Sequence, residues 1–371
     1  MVVPFLNSAI VYASLFAFMA LGLTLTYLTT KVPNFAYGSF VTIGIYTAYT
    51  MWKVNRINPY NASFVAFLIA AVSAAVMYLA VLRPLANRGS SLVSLMIATF
   101  GVDIGFIGIF GIYTDYLRAR YVLIDTKSFF QLQADFNLGG VPGLVYVAPT
   151  LLALLTLGLY ILLTRTKFGV AMRASVENPS LSRILGINVE RVYLISWMLA
   201  GGFAGLAGSL YTLWLPGGTS TGSDLIVEIF AASILGGLTS IFGAILGGLV
   251  IGGSEIVVGT DLTVGFGAFG TGLLAAILLL AGVFLWRNRR RGRARLVGGV
   301  SFVLGAYVLL EAISGVALDP LVPGLVNGFG AEAIAYQRAV PLLIMVGALL
   351  VLPKGLVSIN LRRILRWEER K

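Results

Sequence analysis

The chain has 371 residues, 58% of them hydrophobic and 11% charged, with a formal net charge of +11. Soluble domains carry about 25% charged residues, so a deficit along the whole length excludes a soluble enzyme and indicates a polytopic membrane protein. There is no cysteine or histidine, which excludes disulfides, thiol nucleophiles, the usual zinc centres and histidine-ligated haem.

The basic residues lie between apolar runs. That is the distribution the positive-inside rule produces, not a nucleic-acid surface. About 20 apolar residues cross a bilayer. The first such run is 5–28. No lysine or arginine precedes Lys31, so the run lacks the basic flank of a cleavable signal and is read as a retained span. "KVPNFAYGSF" (31–40) joins it to a second run, 35–52, with too few polar residues for an ordinary loop. Asn34, Tyr37, Gly38 and Ser39, with Phe35 among them, place small or hydrogen-bonding groups close to the apolar region. Such a break either exposes backbone to a polar substrate or makes a tight turn.

Further spans are expected at 62–82 and 92–113, the second with Asp103 midway. A carboxylate in a span is costly, so Asp103 is a candidate for the transport path or a gate, or else a hydrogen-bonded structural acid. Segment 114–143 balances Arg118, Arg120 and Lys127 with Asp115, Asp125 and Asp135, which suits the outer face. After a span at 144–164 comes a basic segment, 165–192, expected to be cytoplasmic.

Within it lies "ENPSLSRILGINVERV" (177–192). Asn178 is a strong N-cap residue, Pro179 suits the first helical position, and Gly186 can end a helix left-handed. Leu181, Ile184 and Leu185 fall on one face of the two turns between, with Ser182 and Arg183 beside them. A helix this short is unstable alone in water, so its apolar face must dock on the membrane surface or in a partner's groove.

The next span, 193–214, has small residues four apart, Gly201 with Gly205 and Ala204 with Gly208, a spacing that lets helix backbones approach closely. The run 225–258 is broken by glycine. As one span it would put the basic loop "RNRRRGRAR" (287–295) outside. As a hairpin of 225–238 and 243–258, turning at Gly236 and Gly237, it puts that loop inside. Glu228 and Glu255 are expected near the hairpin ends, at interfaces. Spans at 266–286 and 296–316, the latter holding Glu311, flank the basic loop. A short run at 339–352 leads to a basic, cytoplasmic C-terminus. The same parity puts Lys31 inside and the N-terminus outside. The fold class is therefore all-α, a polytopic transmembrane helical bundle of about 10 membrane segments including a glycine-rich broken hairpin, in one membrane-spanning domain over 1–371. No G-x-x-x-x-G-K-[ST] occurs, so this chain cannot hold ATP in that way, and if transport is driven by ATP the ATPase is another subunit.

Several stretches resemble the LivH-type permease subunits of branched-chain amino acid ABC importers. They are "GLTLTYLTTKVPNFAYGSF" (22–40), with Tyr37 where the family usually has histidine, "RPL" (83–85), "AMRASVENPSLSRILGINVERV" (171–192), "SILGGLTSIFGAILGGLVIGGSE" (233–255) and "YQRAVPLLIMVGALLVLPKGL" (336–356). The resemblance implies that residues 178–187 form the coupling helix that sits in a cleft of the ATP-binding subunit. It implies that Asn34–Gly38 and the glycine-rich hairpin shape the translocation path. The implied partners are a second homologous permease, two cytoplasmic ATP-binding subunits and an extracellular or periplasmic binding protein, in the plasma membrane, with no cofactor. Segment 256–335, with two extra spans, departs from the family and is read as an insertion, and Asp103 is a second departure. The implied substrate is leucine, isoleucine or valine, with urea, short amides or other amino acids as related possibilities. An ion-coupled secondary carrier using Asp103 and Glu255 is the alternative class. The acids are scattered singly, which disfavours an intramembrane enzyme.

Overall fold

A computed structural model of the chain describes residues 2–122 and 126–264, together with Leu342, Met345 and Val346. The chain divides into two compact units, residues 1–253 with 341–371, and residues 254–340. The expected spans at 266–286 and 296–316, the loop 287–295 and the C-terminal basic cluster lie outside the described residues, as does all but the first part of segment 256–335.

The described residues are overwhelmingly helical. Helix α1 (Val2–Thr30) ends at Lys31, which takes a left-handed conformation at φ 57°. A non-helical stretch, 31–36, leads into α2 (Tyr37–Lys53). Helix α3 (Pro59–Met77) begins at a cap in which the Asn58 side chain accepts from the Tyr60 amide. It continues through a π turn (Tyr78–Leu82) into α4 (Arg83–Asn87), making one unbroken rod. Pro84 supplies no amide, and the Arg83 amide bonds the Tyr78 carbonyl instead, which widens the turn at that point. Helix α5 (Leu92–Tyr121) is capped by Ser91 and runs two turns beyond the expected end, to Val122 in a left-handed conformation.

Short strands β1 (Ser128–Phe129), β2 (Asn137–Leu138) and β3 (Val141–Pro142) then precede α6 (Leu144–Arg165). Segment 165–192 is not a loop. It folds as α7 (Lys167–Glu177) and α8 (Pro179–Ile184), followed by α9 (Val189–Tyr211). Strand β4 (Gly217–Gly218) pairs antiparallel with β1. The glycine-broken run forms two helices, α10 (Thr221–Gly236) and α11 (Ile241–Val264), turning through Gly237 at φ +99°. Only a residue without Cβ takes that conformation cheaply.

Among the described residues, five helical stretches are long and apolar enough to span a membrane: Leu6–Thr30, Pro59–Asn87, Leu92–Tyr121, Leu144–Arg165 and Val189–Tyr211. α2 has 17 residues, about 25 Å at 1.5 Å each, and α10 has 16. The chain is a helical membrane bundle.

Small residues decide which helices meet. A Cβ on Gly201 would strike Ala70 and Ala74 of α3, and one on Gly205 would strike Ala66 and Ala70. Gly44 of α2 lies against the Gly205 backbone, and Gly208 against that of Val41. Helix α9 therefore holds α2 and α3 at backbone distance, the close approach that small residues permit in lipid. Gly247 packs on Ala232 and Gly236, closing the α10–α11 hairpin, and Gly248 packs on Ala17 of α1. Helices α5 and α6 form the rim. Their most apolar windows are 17% and 22% buried, against 89% for α1, so their Ile97, Ile104, Ile112 and Leu154 side chains face outward, where lipid sits.

Candidate functional site

Two regions carry the residues singled out from the sequence. The first is the basic segment before α9, in which three caps in series set three helices. Thr166 accepts from the Gly169 amide at 3.3 Å, Asn178 from the Leu181 amide at 2.9 Å, and Asn188 from the Arg191 amide at 3.0 Å. Each cap satisfies an otherwise orphaned helix-start donor. Helix α7 is anchored to the bundle. The Arg173 guanidinium donates to the Leu163 carbonyl in the last turn of α6, and the Tyr193 hydroxyl donates to the Ser175 carbonyl at 3.4 Å.

Helix α8 starts with Pro179 in its first turn. It ends in a paired closure: the Gly186 amide bonds the Arg183 carbonyl at 3.0 Å and the Ile187 amide bonds the Ser182 carbonyl at 2.9 Å, with Gly186 at φ +83°. This is a Schellman-type stop, which needs a residue tolerant of positive φ. Ser182 is buried and faces the protein, while Leu181, Ile184 and Leu185 are 51%, 82% and 69% exposed. A capped helix of six residues thus presents three large apolar side chains to the outside. Arg183 lies beside them, 3.7 Å from the Glu190 carboxylate.

The second region is the break between α1 and α2. It is tied to the middle of α5: the Phe35 amide donates to Thr99 Oγ1 at 3.1 Å, and Ser39 Oγ donates to Asp103 Oδ1 at 2.5 Å. Asp103 is 5% exposed. Phe35 packs edge-on to Phe100 of α5 and against Phe230 of α10, with ring centroids 6.3 and 5.3 Å apart. Gly38 lies against the Gly222 backbone at the start of α10, and the Gly222 amide donates to Thr42 Oγ1 at 3.1 Å. The Tyr37 ring is fully buried, and its hydroxyl reaches the space beside Gly22 that a Cβ there would fill.

The side chains of Asn34 and Tyr37 are buried without a hydrogen-bond partner among the described residues, as is the Trp197 indole N–H. Buried polar groups are normally satisfied by protein or water. The unpartnered groups of Asn34 and Tyr37 thus lie at the break between α1 and α2.

Asn34, Phe35, Tyr37, Gly38 and Asp103 accordingly form one neighbourhood. Gly236 and Gly237 do not join it. They lie at the far end of α10, about 22 Å from Gly222 at helical rise, and hold the hairpin closed against Gly243 and Ala244. Glu228 and Glu255 are buried, at 3% and 5% exposure, whereas the sequence suggested interface positions; Glu228 sits mid-way along α10. Sequence reasoning did not single out Thr99 or Gly222, nor the pairing of Glu190 with Arg83 at 3.1 Å. Ser39, the link to Asp103, did stand in the flagged stretch.

A bundle of apolar helices with a glycine hairpin and a protruding capped helix defines a multi-pass helical membrane protein. The family model for the branched-chain amino acid transport system permease component matches residues 5–282, and the chain belongs to that family. It is 45% identical over 269 residues to a probable branched-chain amino acid transport permease protein LivH of Methanocaldococcus jannaschii, covering 72% of this chain and 84% of the relative. It is 26% identical over 263 residues to the high-affinity branched-chain amino acid permease BraD of Pseudomonas aeruginosa, covering 67% and 84%. A shorter match, 32% over 130 residues, is to the autoinducer 2 import permease LsrC of Salmonella choleraesuis, about a third of each chain. No solved structure matches the chain.

Proposed function

We propose that the chain is the permease subunit of an ATP-driven importer for branched-chain amino acids, moving substrate inward when a separate ATPase hydrolyses ATP. The observation that carries this reading is α8. An isolated six-residue helix is unstable in water, yet here it is capped at both ends and exposes Leu181, Ile184 and Leu185 together. Such a face fits a groove on a soluble partner. Arg183, Arg191 and Lys167 around it suit the cytoplasmic side, where ATP is available.

The assembly contains two ATP-binding subunits, a second homologous permease and an outer substrate-binding protein. The C-terminus and loops 165–192 and 287–295 face the cytoplasm, and the chain sits in the plasma membrane. The neighbourhood of Asn34, Phe35, Tyr37, Gly38 and Asp103 lines or shapes the path, and the α10–α11 hairpin that turns at Gly236 and Gly237 braces α10 behind it. Segment 256–335 is an insertion that leaves the orientation of the last span unchanged. The chain breaks no covalent bond itself.

The substrate is drawn from the names of relatives that are branched-chain amino acid permeases. The test is co-purification of the candidate ATPase with the wild-type chain and with the Leu181→Asp/Ile184→Asp variant. Loss of the ATPase with the permease still inserted supports the reading, and unchanged assembly contradicts it.

A further inference from the structure

The exposed face of α8 explains how a partner grips the chain but not how a push on α8 reaches the spans. Helix α8 is short, and most of its surface is exposed. One carboxylate links it by charge to the rest of the bundle. Glu190, in the first turn of α9, holds Arg183 of α8 through Oε1 at 3.7 Å. Its other oxygen, Oε2, takes Arg83 Nε at 3.1 Å and the Tyr78 hydroxyl at 3.1 Å. Arg83 and Tyr78 bracket the π turn that joins α3 to α4. The Tyr78 ring then packs on Trp197, a fully buried residue two turns along α9, with centroids 5.8 Å apart.

Three observations give this node a role beyond stability. First, its ion pairs are too exposed to hold the fold: the side chains of Arg83, Glu190 and Arg183 are 45%, 33% and 59% exposed, and ion pairs this open contribute little to folding. Second, it sits on the one π turn among the described residues, a widened segment of the kind found frequently at functional sites. Third, it borders a cavity of about 280 Å³ lined also by Thr30, Val32 and Leu95, so both arginines have space to shift without displacing packed side chains. Beyond the node, α3 and α9 are locked together at backbone distance through Gly201 and Gly205, so a displacement received there moves a rigid pair.

We propose that Glu190 is a positioning residue that transmits displacement of α8 to α3 and α9, through Arg183 on one side and Arg83 and Tyr78 on the other. This rests on α8 being the ATPase docking helix. When α8 is pulled, the carboxylate holds Arg183 and Arg83 in register. When the carboxylate is neutralised, α8 moves with the ATPase while the spans do not follow.

The test uses the full assembly of both permeases, ATPase and binding protein in proteoliposomes, and reads amino-acid uptake per ATP hydrolysed. Glu190→Gln and Arg83→Gln are each expected to keep the ATPase bound and to lower uptake per ATP about tenfold. The double variant should be no worse than either single, since residues of one network are not additive. Glu190→Asp should recover part of the loss.

Unchanged uptake per ATP in Glu190→Gln, or a double loss equal to the product of the singles, would overturn the proposal. Release of the ATPase by Glu190→Gln would also overturn it, assigning the residue to the fold of α8. Failure of the wild-type chain to bind the ATPase would instead overturn the docking reading beneath it.

Discussion

Replacing Ile184 with alanine removes the most exposed of the three apolar side chains on α8. Full burial of an isoleucine or leucine stabilises a complex by about 1.5–3 kcal/mol, and ordering the side chain takes back about 0.5–1 kcal/mol. Ile184 is 82% exposed in the free chain, so nearly all of that burial remains available to a partner. Ile184→Ala should therefore weaken ATPase binding by about 1–2 kcal/mol, roughly five- to thirtyfold in Kd. The Leu181→Asp/Ile184→Asp pair also desolvates two carboxylates, and should cost about 4 kcal/mol or more, on the order of a thousandfold. The assay is titration of detergent-solubilised permease with purified ATPase, with thermal unfolding of the permease measured in parallel. Because Ile184 is 82% and Leu181 51% exposed in the free chain, the unfolding midpoint should fall far less than the affinity. Wild-type affinity in the double variant, or a fall in stability matching the loss of affinity, would refute the account of α8 as a preformed docking face.

The other expectations follow from single contacts. Asn178→Ala removes the cap on the Leu181 amide, worth about 1 kcal/mol, and should lower ATPase affinity about fivefold by fraying α8, measured in the same titration. Asp103→Asn keeps an acceptor for Ser39, so ATP-driven uptake should stay within about twofold of wild type; abolished uptake would favour the ion-coupled carrier. Gly44→Ala pushes a methyl group into the Gly205 carbonyl and should destabilise the bundle by about 1–3 kcal/mol in thermal unfolding. Gly101→Ala, where a Cβ meets nothing within 4 Å, should stabilise α5 by about 0.5–1 kcal/mol.

Features governed by local chemistry were legible in the sequence. Long apolar runs became α1, α3, α5, α6 and α9, with most ends displaced by a few residues and that of α5 by two turns, because hydrophobic length is what a bilayer demands. The caps Asn178 and Gly186 and the turn at Gly237 were legible because backbone conformation there requires particular residue types. Helix α7 was not. Its polar content resembles a loop, and only the spacing of the buried Gly169, Met172 and Ser175 marks a helix face. The union of Ser39 with Asp103, and of Glu190 with Arg83, depends on which helices lie side by side. That in turn depends on where glycine and alanine let backbones touch, which a single sequence offers only as a set of candidates. Glu228 was assigned to a helix end because α10 was expected to start at residue 225; it starts at Thr221, which moves the acid one turn inward.

On the function proposed above, this chain transports only when a separate ATPase works on it through α8. The most direct measurement is leucine uptake into proteoliposomes holding the chain alone, and then the complete assembly with its ATPases, second permease and binding protein. The lone chain should show no uptake under a proton or sodium gradient, and the assembly should show ATP-dependent uptake that the Leu181→Asp/Ile184→Asp variant abolishes. Uptake by the lone chain under an ion gradient would contradict that function.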